Sequence, residues 1–130
     1  IQELAIHDWD IRSAFDSNAG LDPACVPVLL DMSPRWLGMC FRPSATLAKP
    51  VVYGFKVGGE AYRMTVTGDA FQMEAGDASQ PDLSLSATGE QYLLFTYGRL
   101  NAADGIHLGR LSVDGDVSHL DQFEAWFKGL

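Results

Sequence analysis

Hydrophobic and polar residues alternate through the middle of the chain, from Val51 to Ala87. A period of two residues is typical of strands with one buried face, so this stretch predicts four β-strands. Gly58-Gly59 fits a two-residue hairpin loop, which would place Val57 opposite Glu60 and turn the apolar positions of both strands to the same side. In this register the inward face carries Tyr53, Phe55, Tyr62, Met64, Phe71 and Met73.

Helical spacing of apolar residues flanks the strands on both sides. Residues 1–15 place Leu4, Ile11 and Phe15 on one stripe of a first helix. Asp22-Pro23 predicts the start of a second helix, and Ser33-Pro34 predicts a kink or a restart within it. The order of elements predicts an α+β fold, in which a five-stranded, mainly antiparallel sheet has helices covering one face and two N-terminal helices before it.

The composition and charge of the chain disfavour some classes of binding partner. A chain of 130 residues with 47% hydrophobic and 20% charged residues can bury one core. Its formal net charge of -8 repels phosphate groups, which disfavours nucleic acid and anionic membrane surfaces. No stretch approaches the roughly 18–20 uninterrupted apolar residues of a membrane span. Cys25 and Cys40 lack a close CxxC pair, which favours free thiols in the cytoplasm and leaves one disulfide open.

The inward positions of the sheet carry bulky aromatic side chains and flexible methionines. Helices that cover such a sheet can leave a cavity between the two layers, and methionines can repack around different ligands. The six inward positions, together with Phe95 of the following helix, are therefore candidates for binding an apolar small molecule or lipid. The same residues could instead fill an ordinary core, and the pattern leaves both interpretations open.

Two runs near the C-terminus carry a resemblance to a known family. They are GRLNAAD at residues 98–104 and GRLSVDGD at residues 109–116, preceded by the strand DLSL and followed by an amphipathic helix. Together they resemble the sterol carrier protein family over about residues 50–130. The resemblance implies a sheet packed against helices around an apolar tunnel for fatty-acyl chains, sterols or other lipids. It divides the chain into an N-terminal helical segment, 1–45, and a sterol-carrier-like domain, 46–130.

The first helix carries a second resemblance. Its run ELAIHDWD is similar to a helix of the mycothiol-dependent maleylpyruvate isomerase group, in which a DinB-like helical bundle precedes a sterol-carrier-like domain. This implies that Glu3 and His7 are ligands of a divalent metal such as zinc, and that mycothiol is the cofactor. It also implies an arginine near the substrate, for which Arg99 and Arg110 are candidates.

In that group a histidine from an earlier bundle helix completes the metal site, and this sequence contains no such helix. We therefore expect residues 1–15 to correspond to the last helix of such a bundle, with an upstream helical domain or a second copy of the chain as partner. His107 and His119 could supply a third ligand in principle, although neither shows a recognisable ligand spacing.

Each candidate also has a purely structural interpretation. A Glu and a His four residues apart are common on exposed helix faces, where such a pair adds only about 0.2–0.5 kcal/mol. Arg99 lies at the end of a helix, where an arginine can bind the last carbonyl groups. No serine triad, phosphate-binding loop or zinc-cysteine pattern is present in the sequence.

The sequence therefore predicts a sterol-carrier-like domain that binds an apolar or fatty-acyl small molecule, as an accessory domain of a larger protein. The alternative is the C-terminal portion of a metal-dependent, mycothiol-type isomerase or transferase. A weaker possibility is a scaffold whose first helix docks a partner chain, for which an exposed stripe at Leu4, Ile11 and Phe15 would be the signature.

Overall fold

The computed structural model describes residues 1–44 and 47–128. The helices and strands in these residues are, in chain order, α1 (Gln2–Ser13), α2 (Val26–Cys40), β1 (Val51–Val57), β2 (Glu60–Val66), β3 (Phe71–Ala75), β4 (Leu83–Ala87), α3 (Gly89–Thr96), α4 (Ala102–His107), β5 (Ser112–Gly115) and α5 (Ser118–Trp126). The predicted α+β fold, with two leading helices and a five-stranded sheet, is confirmed. None of the described helices has the length and apolarity needed to cross a bilayer.

The sheet is mixed and has the strand order β3-β2-β1-β4-β5. Val57 lies opposite Glu60, so the predicted hairpin register is confirmed. The fourth strand does not continue the meander beside β3; it returns to the far side of β1 and runs parallel to it, which requires a crossover connection. That connection passes close to Gly54, where a Cβ atom would lie 3.4 Å from the Cβ of Ala78 and 3.5 Å from the Cγ of Pro81.

An aromatic cluster connects the inner face of the sheet with the helices. Phe123 of α5 lies against Tyr53 and Phe55 of β1, with ring centroids 5.5 and 5.9 Å apart. The Phe123 ring also stacks on Phe95 of α3 at 5.2 Å and lies 4.7 Å from Phe127. The ring of Phe123 therefore connects β1, α3 and α5 within the core.

The second helix differs from its prediction at its start and in its middle. It begins at Val26, because Asp22 closes a turn in which its Oδ1 accepts the N–H of Ala24 at 2.9 Å. Pro27 then lies in the first turn, where a proline needs no hydrogen-bond partner. The helix continues through Pro34 without the predicted restart. Its buried stripe runs along both sides of that proline and consists of Leu29, Ser33, Trp36, Leu37 and Cys40.

The first helix presents its apolar stripe away from the rest of the chain. Ile6 is the buried residue of α1, whereas Leu4 is 77% exposed, and Phe15, which lies beyond the end of α1, is 90% exposed. Ile11 is also exposed, and the indole N–H of Trp9 donates to the carbonyl of Ala19 at 2.9 Å. The inner side of α1 is apolar as well, because Ala5, Ile6 and Trp9 pack against the core, so α1 carries apolar residues on two sides.

Candidate functional site

Three polar side chains share one face of α1. The Nε2 of His7 lies 3.2 Å from the Oε2 of Glu3, and its Nδ1 lies 3.3 Å from the Oδ2 of Asp10. Residues three and four apart meet on the same face of a helix because they are about one turn apart. The imidazole is therefore held between two carboxylates.

The end of α3 supplies the cation that meets this face. Gly98 adopts a φ of +73°, and the N–H groups of Arg99 and Leu100 donate to the carbonyl of Leu94 at 2.8 and 3.0 Å. A left-handed glycine ends the helix in this way and redirects the chain. The Nε and Nη2 of Arg99 then donate to Oδ1 and Oδ2 of Asp10 at 3.0 and 2.8 Å.

This ion pair fixes the charge of both partners. The hydrogen bond from Arg99 holds the pKa of Asp10 below its ordinary value, although burial acts in the opposite direction. The same hydrogen bond raises the pKa of Arg99. Both groups are therefore ionised at neutral pH, and the carboxylate of Asp10 compensates the charge of the arginine.

A cleft of about 190 Å³ opens beside the ion pair, and we call it the Arg99 cleft. It is lined by Gln2, Glu3, Ile6, His7, Trp36, Tyr97 and Arg99. The cleft thus brings together three of the predicted site residues, Glu3, His7 and Arg99. The other candidate arginine, Arg110, is exposed in the turn between α4 and β5 and does not line the cleft.

The sequence predicts neither the partner of Asp10 nor the two aromatic residues Trp36 and Tyr97 of this region. Asp10 shares the helix face of Glu3 and His7, but its partner Arg99 lies 89 positions away along the chain. Trp36 and Tyr97 stack with ring centroids 4.4 Å apart, although they belong to different elements. No local pattern links α2 to the end of α3, so the aromatic part of the cleft could not be predicted.

The residues present fit a metal site only in part. Glu3 and His7 lie close enough to bind one ion, and Asp10 supports the other nitrogen of the imidazole, as carboxylates often do behind metal-bound histidines. A catalytic zinc requires three protein ligands. Within residues 1–44 and 47–128, no group of three His, Cys, Asp or Glu side chains is placed to hold an ion. The metal-binding role of Glu3 and His7 therefore stays a prediction, and we assign no reaction step to a metal.

The residues predicted to line an apolar cavity differ in their burial. Those that lie in the core are Tyr53, Phe55, Met64 and Phe95, and those that are half-buried toward the β3 edge of the sheet are Tyr62, Phe71 and Met73. The buried aromatic members contact one another or share Phe123 as a neighbour. Their role in ligand binding stays a prediction.

A second cavity, of about 280 Å³, lies where α3, α4 and α5 meet, and we call it the Phe95 pocket. It is lined by Phe95, Gly98, Leu100, Asn101, Glu124, Phe127 and Lys128. Phe95 and Phe127 are buried and join the pocket to the aromatic cluster around Phe123, whereas Lys128 is exposed. The pocket therefore combines buried aromatic rings with two charged side chains, Lys128 and Glu124, and the Oε1 of Glu124 already accepts the N–H of Ala102 at 2.7 Å. This suits a ligand with an apolar body and a polar head.

Solved structures show where this fold recurs. A double mutant of the sec-alkyl sulfatase PisA1 matches 77% of this chain with a TM-score of 0.66 and 14% sequence identity, but the match spans only 16% of that chain. Palmitated SCP2L2 from Aedes aegypti matches 75% of this chain and 88% of its own, with a TM-score of 0.52 and 14% identity. The ubiquinone synthesis protein UbiJ-SCP2 matches 95% of this chain and 92% of its own, with a TM-score of 0.50 and 18% identity. At these identities the likeness shows the fold alone.

The family is shown by a match of sequence rather than of structure. No curated protein matches the chain. The model of the SCP-2 sterol transfer family matches residues 46–128, which make up most of the chain. The chain therefore belongs to the SCP-2 sterol transfer family, a family of lipid-binding domains.

Proposed function

We propose that this domain binds an apolar or fatty-acyl small molecule through the Phe95 pocket. The observation that carries the proposal is the continuity between the pocket and the aromatic cluster, since Phe95 both lines the pocket and stacks on Phe123. The volume of about 280 Å³ is close to the lower end of the range of about 300–1,000 Å³ for ligand pockets. Membership of a lipid-binding family and the palmitated state of the Aedes aegypti protein support the same class of ligand.

A long acyl chain needs more space than the pocket offers in this state. Each buried methylene contributes about 0.8 kcal/mol, so the tail gains affinity by moving further between the sheet and the helices. Met64 and Met73 lie on the inner face of the neighbouring strands, where flexible thioether side chains can repack to admit a tail. We therefore expect the aromatic cluster to rearrange when the ligand binds.

A fluorescent fatty acid and its methyl ester test this proposal. Lys128→Glu places a like charge beside the carboxylate, so affinity for the acid should fall while affinity for the uncharged ester stays the same. Lys56→Glu is the matched control, because Lys56 is exposed on β1 and does not line the pocket. Binding of neither probe, or equal effects of the two substitutions on the acid, would contradict the proposal.

We further propose that the chain is an accessory domain whose first helix packs against another part of a larger protein. The exposed apolar side chains of Leu4, Ile11 and Phe15 support this, because exposed apolar patches often mark interaction sites. The proposed division into segments 1–45 and 46–130 has its boundary outside the described residues. Sedimentation of the isolated chain tests the alternative partner, since a stable dimer lost on Phe15→Lys would favour a second copy instead.

The second candidate function is the C-terminal portion of a metal-dependent thiol-cofactor isomerase or transferase. The specific observation that favours it is the presence of Glu3, His7 and Arg99 around one cleft, although they come from two distant segments. Glu3 and His7 would hold the metal, which would act as a Lewis acid that stabilises the thiolate of mycothiol or a related thiol. Asp10 would orient both His7 and Arg99 through its two oxygens.

The full-length parent protein tests this candidate. Stoichiometric zinc and activity that are both lost in His7→Ala, but kept in His107→Ala, would support it. His107 is a suitable control because it is exposed at the end of α4 and does not line the cleft. Zinc content unchanged by His7→Ala would contradict it.

A further inference from the structure

The first helix carries a row of exposed side chains at the spacing of a coiled-coil seam. Leu4, Asp8 and Ile11 follow one another at intervals of four and three residues, and Ile1 before the helix and Phe15 beyond it continue these intervals. We call these five residues the Asp8 row, and all five are exposed. Alternating steps of three and four residues place side chains along one stripe of a helix, where they can meet a second helix. The row therefore has the form of one half of a helix–helix interface.

A groove of about 320 Å³ lies beside the first part of this row, and we call it the α1 groove. It is lined by Ile1, Leu4, Ala5, Asp8, Asp22 and Cys25. Asp22 and Cys25 come before α2, so α1 forms one wall of the groove and the chain that leads into α2 forms the other. Packed helices fit side chains of one partner into spaces on the other, and this groove offers such a space. Neither the row nor the groove shares a residue with the Arg99 cleft.

The surroundings of Asp8 are acidic. Its Oδ2 accepts a hydrogen bond from Nε of Arg12 at 2.8 Å. This bond raises the pKa of Arg12, and the charges of Asp22 and Asp16 raise it further, so three carboxylates lie near one guanidinium. The excess extends along this part of the chain, because residues 1–31 contain six Asp or Glu and one Arg. The exposed apolar side chains of the row are therefore accompanied by net negative charge.

This charge determines which kind of helix fits the row. An interfacial carboxylate that loses water without gaining a cationic partner weakens the interface. A second copy of α1 that is centred on the same position would bring two Asp8 carboxylates together and would join two acidic segments. A helix with a lysine or arginine opposite Asp8 would compensate the charge instead.

We propose that the Asp8 row binds an amphipathic helix that has apolar residues at heptad spacing and a lysine or arginine facing Asp8, and that the α1 groove receives apolar side chains of this helix. The inference rests on the proposed packing of the first helix against another part of a larger protein. It adds the residue pattern and the charge of the partner.

Two synthetic helical peptides test this charge preference on the chain. Both contain three heptads with Ile at position a, Leu at position d, and alanine or glutamine elsewhere. The central a position is Lys in one peptide and Glu in the other. We expect the Lys peptide to bind about tenfold more tightly than the Glu peptide, at concentrations at which both peptides are monomeric. Its binding should shift the backbone amide resonances of residues 1–15 in nuclear magnetic resonance spectra.

The variant Asp8→Lys reverses the charge at the centre of the row. We expect its preference to change to the Glu peptide. Asp121→Lys is the matched control, because it changes the net charge by the same amount, while Asp121 is exposed on α5 and does not line the α1 groove. This control should keep the preference for the Lys peptide, so a reversal in Asp8→Lys alone cannot come from the overall charge of the chain.

The variant Leu4→Ser keeps the charges of the row and removes an apolar side chain. We expect both peptides to bind about tenfold more weakly or worse, whereas the melting temperature of the free chain should change little because Leu4 is exposed. The inference would be overturned by no binding of the Lys peptide, by equal affinities of the two peptides for the wild-type chain, or by an unchanged preference in Asp8→Lys. None of these results bears on fatty-acid binding at the Phe95 pocket. The accessory-domain proposal fails separately, if the chain forms a stable dimer through Phe15.

Discussion

The ion pair between Asp10 and Arg99 gives the most specific energetic prediction, because it attaches α1 to the remainder of the chain. We consider a double-mutant cycle in which Asp10→Ala and Arg99→Ala are made singly and together. Each single substitution also removes other contacts, such as the hydrogen bond from Arg99 to the carbonyl of Tyr97. The cycle cancels these contributions and leaves the coupling between the two side chains.

The expected coupling follows from the geometry of the pair. Two unit charges about 4 Å apart interact with about 4 kcal/mol at an effective dielectric constant of about 20. The side chain of Arg99 is 18% exposed and that of Asp10 is 32% exposed, so solvent screening and the cost of removing water reduce this figure. The two parallel hydrogen bonds add geometric strength. We expect a net coupling of about 1–2 kcal/mol.

Urea unfolding at pH 7 and low ionic strength, followed by tryptophan fluorescence, measures the free energy of unfolding of each variant. Asp8 and Arg12 provide a matched control pair on the same helix, 2.7 Å apart, with side chains 58% and 43% exposed. We expect a much smaller coupling for this pair, because both partners are solvated. Equal couplings for the two pairs would contradict this expectation, because burial and bidentate geometry would then contribute nothing.

The remaining predictions concern the pH range of this ion pair and the core. The coupling between Asp10 and Arg99 should disappear in acid: since the folded pKa of Asp10 is depressed, the stabilisation is complete above its unfolded value of about 3.9 and is lost as pH falls through the lower folded value. The cycle repeated in acid, wherever the protein stays folded, checks this. Gly89→Ala should lower the free energy of unfolding by about 1–3 kcal/mol, because a Cβ atom would lie 2.9 Å from Val26 Cγ1. Gly38→Ala, where no atom lies within 4 Å, should raise it by about 0.5–1 kcal/mol in the same assay. Phe123→Ala should cost about 3–5 kcal/mol, since this buried ring connects β1, α3 and α5.

The strands were predictable from sequence because their information is local. The alternation around Val57 and Glu60 and the two-glycine loop between them specify the hairpin and its register, and the structure agrees. The position of β4 beside β1 could not be predicted in the same way. It depends on a crossover, and the contact of that connection with Gly54 involves residues more than twenty positions apart.

The helices show the same distinction. An Asp-Pro pair such as Asp22-Pro23 can either cap a helix or form a turn, and here it forms a turn. The buried stripe from Leu29 to Cys40 favours a helix that starts later and passes through Pro34. Local propensity alone does not contain this tertiary contribution.

Only the part of the Arg99 cleft that α1 contributes could be predicted from the sequence. The spacing of Glu3 and His7 places them on one face of α1, but their proximity to Arg99 arises from the end of α3. Tyr97 carries no local sequence feature that distinguishes it from a core aromatic residue. Its position beside Trp36 at the Arg99 cleft becomes visible only when the packing around it is known.

In the proposed function, an apolar ligand binds at the Phe95 pocket and extends toward the aromatic cluster. Nuclear Overhauser contacts between ¹³C-labelled palmitate and the assigned protein protons test this claim most directly. We expect saturable binding with contacts to the side chains of Phe95, Leu100 and Phe127. Contacts confined to the exposed side chains of Leu4, Ile11 and Phe15, or no saturable binding by the folded domain, would contradict it.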